Sequence, residues 1–427
     1  MLHVDISGTL AKVLTPSYGI PDQEMLGIST SMRRVTGDWL RECESGMHSW
    51  TQDPFREEIV AEVEEVAARV KKERIQTVLW IGIGGNSLGP RVLQEAFERP
   101  DTVEFLIIDT IDPALLQTYL SILDWRHTLI VIASKSGDTL ESLSAFFYFW
   151  EALTATLKAE AAKHVVAITD FKTGFLRSFC LDHGIPMLPI PRDTGGRYSI
   201  FTPVGLLPLA LLDGDIRKFI QGAVEMQELC CNETLEENPA ALLASVQFLL
   251  ETKKGYNVRV IMPYSGRLAG IARWNQQLIA ESLGKNEVHN PVPLAAQGTQ
   301  DQHSLLQQWM AGPRKQWHIF ITETEKPRLF VPENLPKEWH EIAGKTFGQL
   351  LDACYEGTRR ALTSKKRPHA TIALGRLDEF HLGQLFFLFL SEVVFLGKLY
   401  RIDPYGQPAV DVGKQITKEI LMHGRRE

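Results

Sequence analysis

Two apolar runs, TVLWIGIG at residues 77–84 and LIVIAS at residues 129–134, carry no polar face, and each passes through a turn of small residues into a long helical pattern. A strand that is apolar on both sides must be covered on both faces, and interleaved helices supply that cover. The same alternation continues with strands near residues 104–108, in HVVAIT and in PMLPI, and with helices near residues 113–122, from Thr139 and through residues 175–181. Strand and helix taking turns predicts a doubly wound parallel sheet, with ligands at the carboxyl ends of its strands.

At 427 residues the chain exceeds one ordinary core. After a strongly apolar helical bridge at residues 195–231, a second alternation begins. It runs through the helix AALLASVQFLLETKKG, the strand VRVIMPYS, the helix RLAGIARWNQQLIAESLG and a strand across residues 290–296. The helix LLQQWMAG, the strand WHIFITE, the helix LLDACYEGTRRAL and the strand ATIALG follow, and two long helices close the chain. VLWIGIGGNSLG and VRVIMPYSGRLAG both lead from strand through a Ser/Gly turn to helix, which suggests two related α/β domains. The expected divisions are an N-terminal helical segment at 1–70, α/β domains at 71–230 and 231–400, and a C-terminal helical tail at 401–427.

Hydrophobic content of 44% and charged content of 23% are those of a soluble globular protein. A net charge of −7 gives no general attraction for nucleic acid or an acidic membrane surface, so any anion site must be built locally. The five cysteines (Cys43, Cys180, Cys230, Cys231, Cys354) lack metal-ligand spacing and suggest no disulfide framework, which fits a reducing cytoplasm. Adjacent Cys230 and Cys231 read as a redox pair or as small buried side chains. The N-terminus lacks the pattern of a secretion signal, and the apolar run at 385–396, interrupted by Ser391 and Glu392, reads as a core helix rather than a membrane span.

Several turns carry residues suited to chemistry. Ser134, Lys135, Ser136, Gly137, Asp138 and Thr139 place hydroxyls, backbone N–H groups and a helix start at one point, the recipe for holding a phosphate, although an N-capped connection has the same composition. Gly82, Gly84 and Gly85, just before Asn86, miss the glycine spacing of a dinucleotide fingerprint, which leaves close approach to a ligand or tight packing. Gly195 and Gly196 precede Arg197, whose planar cation suits an anion or a developing oxyanion. Gln277 and Glu281 share one helix face, with Glu281 among apolar neighbours as a candidate base. His303, one of twelve histidines, follows a polar loop where it can move protons near neutral pH. Gln407 and Lys414, seven apart, share a face if that stretch is helical, and read alone Lys414 is a solvated lysine of a terminal helix.

Taken together, IGIGGNSLGP, SKSGDTLES, GGRYS, the Gln277–Glu281 pair, GTQDQH and the Gln407–Lys414 pair occur in an order and spacing that resemble the glucose-6-phosphate isomerase family, from about residue 77 to residue 414. The resemblance implies two α/β/α sugar-isomerase domains that interconvert glucose 6-phosphate and fructose 6-phosphate with no metal or organic cofactor. It implies that Ser134, Ser136 and Thr139 hold the phosphate with backbone N–H groups around Lys135, and that Gly85, Asn86, Gly196, Gln277 and Gln407 line the substrate pocket. Glu281 is then the base that moves a proton between C2 and C1 through a cis-enediol, and Arg197 the cation that stabilises that intermediate. His303 and Lys414 assist ring opening, with Glu141 orienting His303. Because the counterpart of His303 comes from the neighbouring subunit in this family, a homodimer is implied.

Three features depart from the family pattern. Asn86 stands where many members carry a ligand-contacting serine, Gly137–Asp138 follows Ser136 as in shorter bacterial members, and the chain is short. A dual isomerase that also accepts mannose 6-phosphate is the nearest competing reading. A noncatalytic sugar-phosphate sensor would need neither Glu281, His303 nor Lys414, and often carries a basic DNA-binding module where this chain is acidic.

Overall fold

The computed structural model describes residues 1–423. Ten strands lie among the described residues: β1 (His3–Asp5), β2 (Thr77–Ile81), β3 (Glu104–Ile108), β4 (Thr128–Ser134), β5 (Val165–Thr169), β6 (Met187–Pro189), β7 (Val258–Pro263), β8 (Val292–Ala295), β9 (Gln316–Glu323) and β10 (His369–Leu374). The first sheet has the order β3-β2-β4-β5-β6 and is parallel throughout. β4 is buried along its whole length and β2 from its second residue on, which is why neither run shows an alternating polar face. Chain order reverses between β2 and β4, so a crevice opens where their carboxyl ends diverge, and the glycine turn and the hydroxyl turn flank it.

The second sheet has the order β8-β7-β9-β10-β1, in which β7 to β10 are parallel and β1 is antiparallel. Counted from β7, its first four strands repeat the order of the first sheet, so the likeness between the two strand–turn–helix stretches extends to topology. The N-terminal segment departs from the helical expectation at its start. β1 pairs His3 with Ala373, Val4 with Ile372 and Asp5 with Thr371, closing the edge of the second sheet. Three residues are too few to show a strand period. The rest of that segment is helix Asp22–Glu44, a 3-10 stretch Ser49–Phe55 and helix Glu57–Lys72.

Helix Glu379–Tyr400 is apolar and long enough to cross a membrane by composition, yet 89% of its most apolar window is buried inside this fold. It packs on helix Ile216–Cys230 backbone to backbone: a Cβ on Gly222 would fall 1.9 Å from the Phe380 carbonyl oxygen, and one on Gly383 2.0 Å from that of Phe219. Glu392, the charge interrupting this apolar run, meets Arg259 of β7 through two bonds, Nη1 to Oε1 at 2.5 Å and Nη2 to Oε2 at 2.8 Å, with both side chains wholly buried. Removing one partner strands the other in an apolar core. Glu392→Gln is therefore expected to cost about 3–5 kcal/mol of stability, read as a lowered denaturant midpoint. A loss under about 1 kcal/mol would mean that the guanidinium finds new partners.

Candidate active site

The site can be followed as a chain of contacts across the crevice. At the end of β4 the Ser134 and Thr139 hydroxyls lie 3.0 Å apart, and Ser136 Oγ lies 3.5 Å from Thr139 Oγ1. The turn closes through Gly137, whose N–H donates to the Ser134 carbonyl at 3.1 Å and whose φ of +68° suits glycine. Three hydroxyls thus gather just before helix Leu140–Leu157, whose positive end faces them. Lys135 leaves this turn and donates through Nζ to the Thr194 carbonyl at 2.8 Å, joining the hydroxyl cradle to the loop that carries Arg197. Burial holds the Lys135 ammonium below its usual range, against the pull of Asp193, Asp170 and Asp53.

From that loop the contacts pass to the turn after β2, where helix Gly85–Phe97 starts, and to helix Ala269–Leu283. A Cβ on Gly85 would fall 2.2 Å from the Gly196 carbonyl oxygen, so close approach to backbone requires that glycine, while Gly84, beside Gln277 Nε2, is required by its positive φ of +60°. Gln277 Nε2 donates to Glu281 Oε1 at 3.0 Å, and Arg197 Nη1 donates to Glu281 Oε2 at 3.3 Å. The buried guanidinium also donates through Nε to Ser282 Oγ at 2.7 Å, through Nη1 to Gln407 Oε1, and through Nη2 to the Pro404 and Gly406 carbonyls. A carboxylate fixed at both oxygens, partly open to solvent and bonded to a buried permanent cation can take a proton while the cation steadies the negative charge this leaves. An open groove of about 540 Å³ runs beside Glu281, lined by Leu88, Arg273, Gln276, Gln277 and Ala295.

Of the residues singled out in the sequence, Gly85, Ser134, Lys135, Ser136, Thr139, Gly196, Arg197, Gln277, Glu281 and Gln407 join this network. Asn86 sits at its edge with Oδ1 buried and unpartnered among the described residues. Ser87 does not stand in for a ligand-facing serine, because it is buried and donates to the Gly84 carbonyl at 3.1 Å. Gln407 precedes helix Ala409–His423, so it and Lys414 do not share a helix face as expected. Lys414 lies on that helix with its side chain 70% exposed, 3.7 Å from Asp411, and it does not meet Glu281. His303 is exposed at the end of the short turn Gln300–Gln302, and no side-chain hydrogen bond joins it to Glu141. Sequence reading missed Ser282, Pro404 and Thr194. Ser282 directly follows Glu281 and was the one within reach, since a hydroxyl beside a candidate base is a natural partner for a nearby arginine.

A family model described as phosphoglucose isomerase matches residues 56–321. A glucose-6-phosphate isomerase of Rubrobacter xylanophilus is 33% identical over 97% of each chain, and one of Methanocaldococcus jannaschii is 35% identical over 81% of this chain and 84% of its own. Among solved structures, a hypothetical protein of Thermus thermophilus superimposes with a TM-score of 0.88 at 30% identity, covering 99% of this chain and all of the other. A glucose-6-phosphate isomerase of Chlamydia trachomatis gives 0.77 at 23% identity over 87% of this chain and 74% of its own, a likeness of fold.

Proposed function

The chain belongs to the phosphoglucose isomerase family, and on that premise we propose that the crevice between β2 and β4 is where it acts as a glucose-6-phosphate isomerase. The observation that carries this reading is the Glu281–Arg197 pair, joined by way of Thr194 and Lys135 to a cradle of three hydroxyls.

The cradle of Ser134, Ser136 and Thr139 anchors the phosphate, with backbone N–H groups supplementing the hydroxyls. In the open-chain aldose Glu281 accepts the C2 proton, and electrons from that C–H bond move toward the C1 carbonyl oxygen. The negative charge of the resulting cis-enediol system is held by Arg197. A proton then passes from the C2 hydroxyl oxygen to the C1 oxygen, and return of the carbon proton to C1 as the C2 carbonyl forms gives the ketose, with no atom gained or lost. A carbon acid beside a carbonyl is too weak for an unaided carboxylate, so the cation must act in the same step. Gln277 and Gln407 orient base and cation, while Gly85, Asn86 and Gly196 line the pocket.

Ring opening falls to His303 and Lys414, with Glu141 orienting the imidazole. In a homodimer His303 from a second copy reaches the crevice, in keeping with its exposed place on one chain. Lys414 reaches it when helix Ala409–His423 docks, and that helix exposes Val412, Ile416 and Ile420. The reaction needs no metal or organic cofactor, draws on a glycolytic sugar phosphate, and fits a cytoplasmic location.

The test is release of fructose 6-phosphate from glucose 6-phosphate by the purified full chain in EDTA, with mannose 6-phosphate run beside it. Metal-independent turnover of the glucose ester is expected. Comparable turnover of the mannose ester would widen the assignment to a dual isomerase, and binding without turnover would replace it with a sensor.

A further inference from the structure

We propose that Asp53 is a positioning residue of this site: from the N-terminal segment its buried carboxylate fixes Thr194, and through Thr194 both Lys135 of the phosphate cradle and the loop that presents Arg197. The inference rests on the reading of the crevice given above.

Asp53 lies on the 3-10 stretch Ser49–Phe55, remote in sequence from every motif of the site, and is only 1% exposed. Its Oδ2 accepts from Thr194 Oγ1 at 2.8 Å, and its Oδ1 accepts from Arg56 Nε at 3.1 Å. Thr194 is itself wholly buried and is the residue whose carbonyl receives Lys135. Three residues before Asp53, Trp50 stacks on Tyr198 with ring centroids 5.8 Å apart and planes inclined by 28°. One short segment therefore grips the Arg197 loop on both sides, by a hydrogen bond at Thr194 and by an aromatic face at Tyr198. An apolar pair at positions 53 and 194 would close the same gap without burying a carboxyl group, so the polar choice calls for a reason beyond packing.

The charged groups facing Asp53 are Arg56 from its own segment and Lys135 from the cradle turn, with Asp170, Arg192 and Asp193 around Lys135. Burial pushes the Asp53 carboxyl up to about 7, although Thr194, Arg56 and Lys135 each draw it down. Ionised, it accepts from Arg56 and Thr194 at once; protonated, it gives up acceptor capacity. Its hold on Thr194 thus tightens as pH rises through about 7. Stability runs the other way. The folded carboxyl keeps its proton up to about 7, whereas the unfolded one ionises near about 4, so this group's contribution falls as pH rises across that window.

The experiment measures kcat/KM for glucose 6-phosphate from about pH 5.5 to about pH 9 on the wild-type chain, Asp53→Asn, Asp53→Leu and Asp53→Leu with Thr194→Val, with thermal melts alongside. The expected wild-type profile carries a rising limb near pH 7 that Asp53→Asn lacks. That variant falls about tenfold below wild type above about pH 8, the scale of one hydrogen bond to a charged group. Its stability relative to wild type shifts in its favour as pH rises from about 4 to about 7. The double variant recovers activity lost by Asp53→Leu alone, because no buried hydroxyl is left unpaired, yet it too lacks the limb. Should Asp53→Asn fail to fold, the double variant gives the same reading. An active wild type whose limb persists in a folded variant overturns this inference alone, whereas an inactive wild type overturns the reading of the site and this inference with it.

Discussion

Glu281→Gln is expected to lower kcat for glucose 6-phosphate by roughly 10³- to 10⁴-fold with little change in KM, the scale of losing a general base. The amide keeps the size of the carboxylate, and its carbonyl oxygen can still accept from Gln277, which bonds Oε1 at 3.0 Å. It cannot take a proton from carbon, and where it faces Arg197 it either presents an N–H₂ group to a cation or turns away from Gln277. The proposed phosphate cradle of Ser134, Ser136 and Thr139 is untouched by this substitution, so binding is expected to survive while chemistry stops. The check is paired: kcat and KM by fructose 6-phosphate release, and loss of deuterium from substrate labelled at C2. A variant that retains a tenth of wild-type turnover, or still exchanges the label at the wild-type rate, would place the base elsewhere.

The strands that bear the site were legible because they are extreme. A run such as LIVIAS has one structural use, and the turn after it announces a helix. The pairing of β2 with β4 was not legible, since sheet order depends on contacts between whole elements, and that pairing is what brings the glycine turn beside the hydroxyl turn. Glu281 and Gln277 could be matched because an i, i+4 spacing on a helix survives folding unchanged. Gln407 could not be placed the same way: helix Ala409–His423 begins after it, and its partner Arg197 is 210 residues away. Asp53 and Thr194 left no trace in either local sequence, because a buried hydrogen bond across 141 residues has no period. His303 and Lys414 are legible as motif members, but both stay exposed on the single chain, outside the network around Glu281.

Arg197 carries the second large effect, and its surroundings decide the form it takes. Arg197→Met is expected to lower kcat by roughly 10²- to 10³-fold, the scale of losing one preorganised charge stabiliser, and Arg197→Lys to recover only a small part of it. One guanidinium donates to Ser282 Oγ, Glu281 Oε2, Gln407 Oε1 and the Pro404 and Gly406 carbonyls, a spread that a planar fork can span and a single ammonium cannot. The charge alone therefore does not restore the geometry. Because the same side chain pins residues 404–407, a loosened C-terminal stretch is a competing cause of any lost activity, and kinetics separate the two. Lost enediolate stabilisation lowers kcat and kcat/KM together, whereas a slack pocket wall raises KM first. Gln407→Ala supplies the comparison, since it releases one tether of that stretch and leaves the guanidinium in place. If Arg197→Met and Gln407→Ala show the same modest rise in KM with kcat preserved, Arg197 is a structural clasp and the charge of the intermediate is met by another group. If only Arg197→Met collapses kcat, the cation acts on the reacting atoms, and its many bonds are the means by which one orientation is held ready for them.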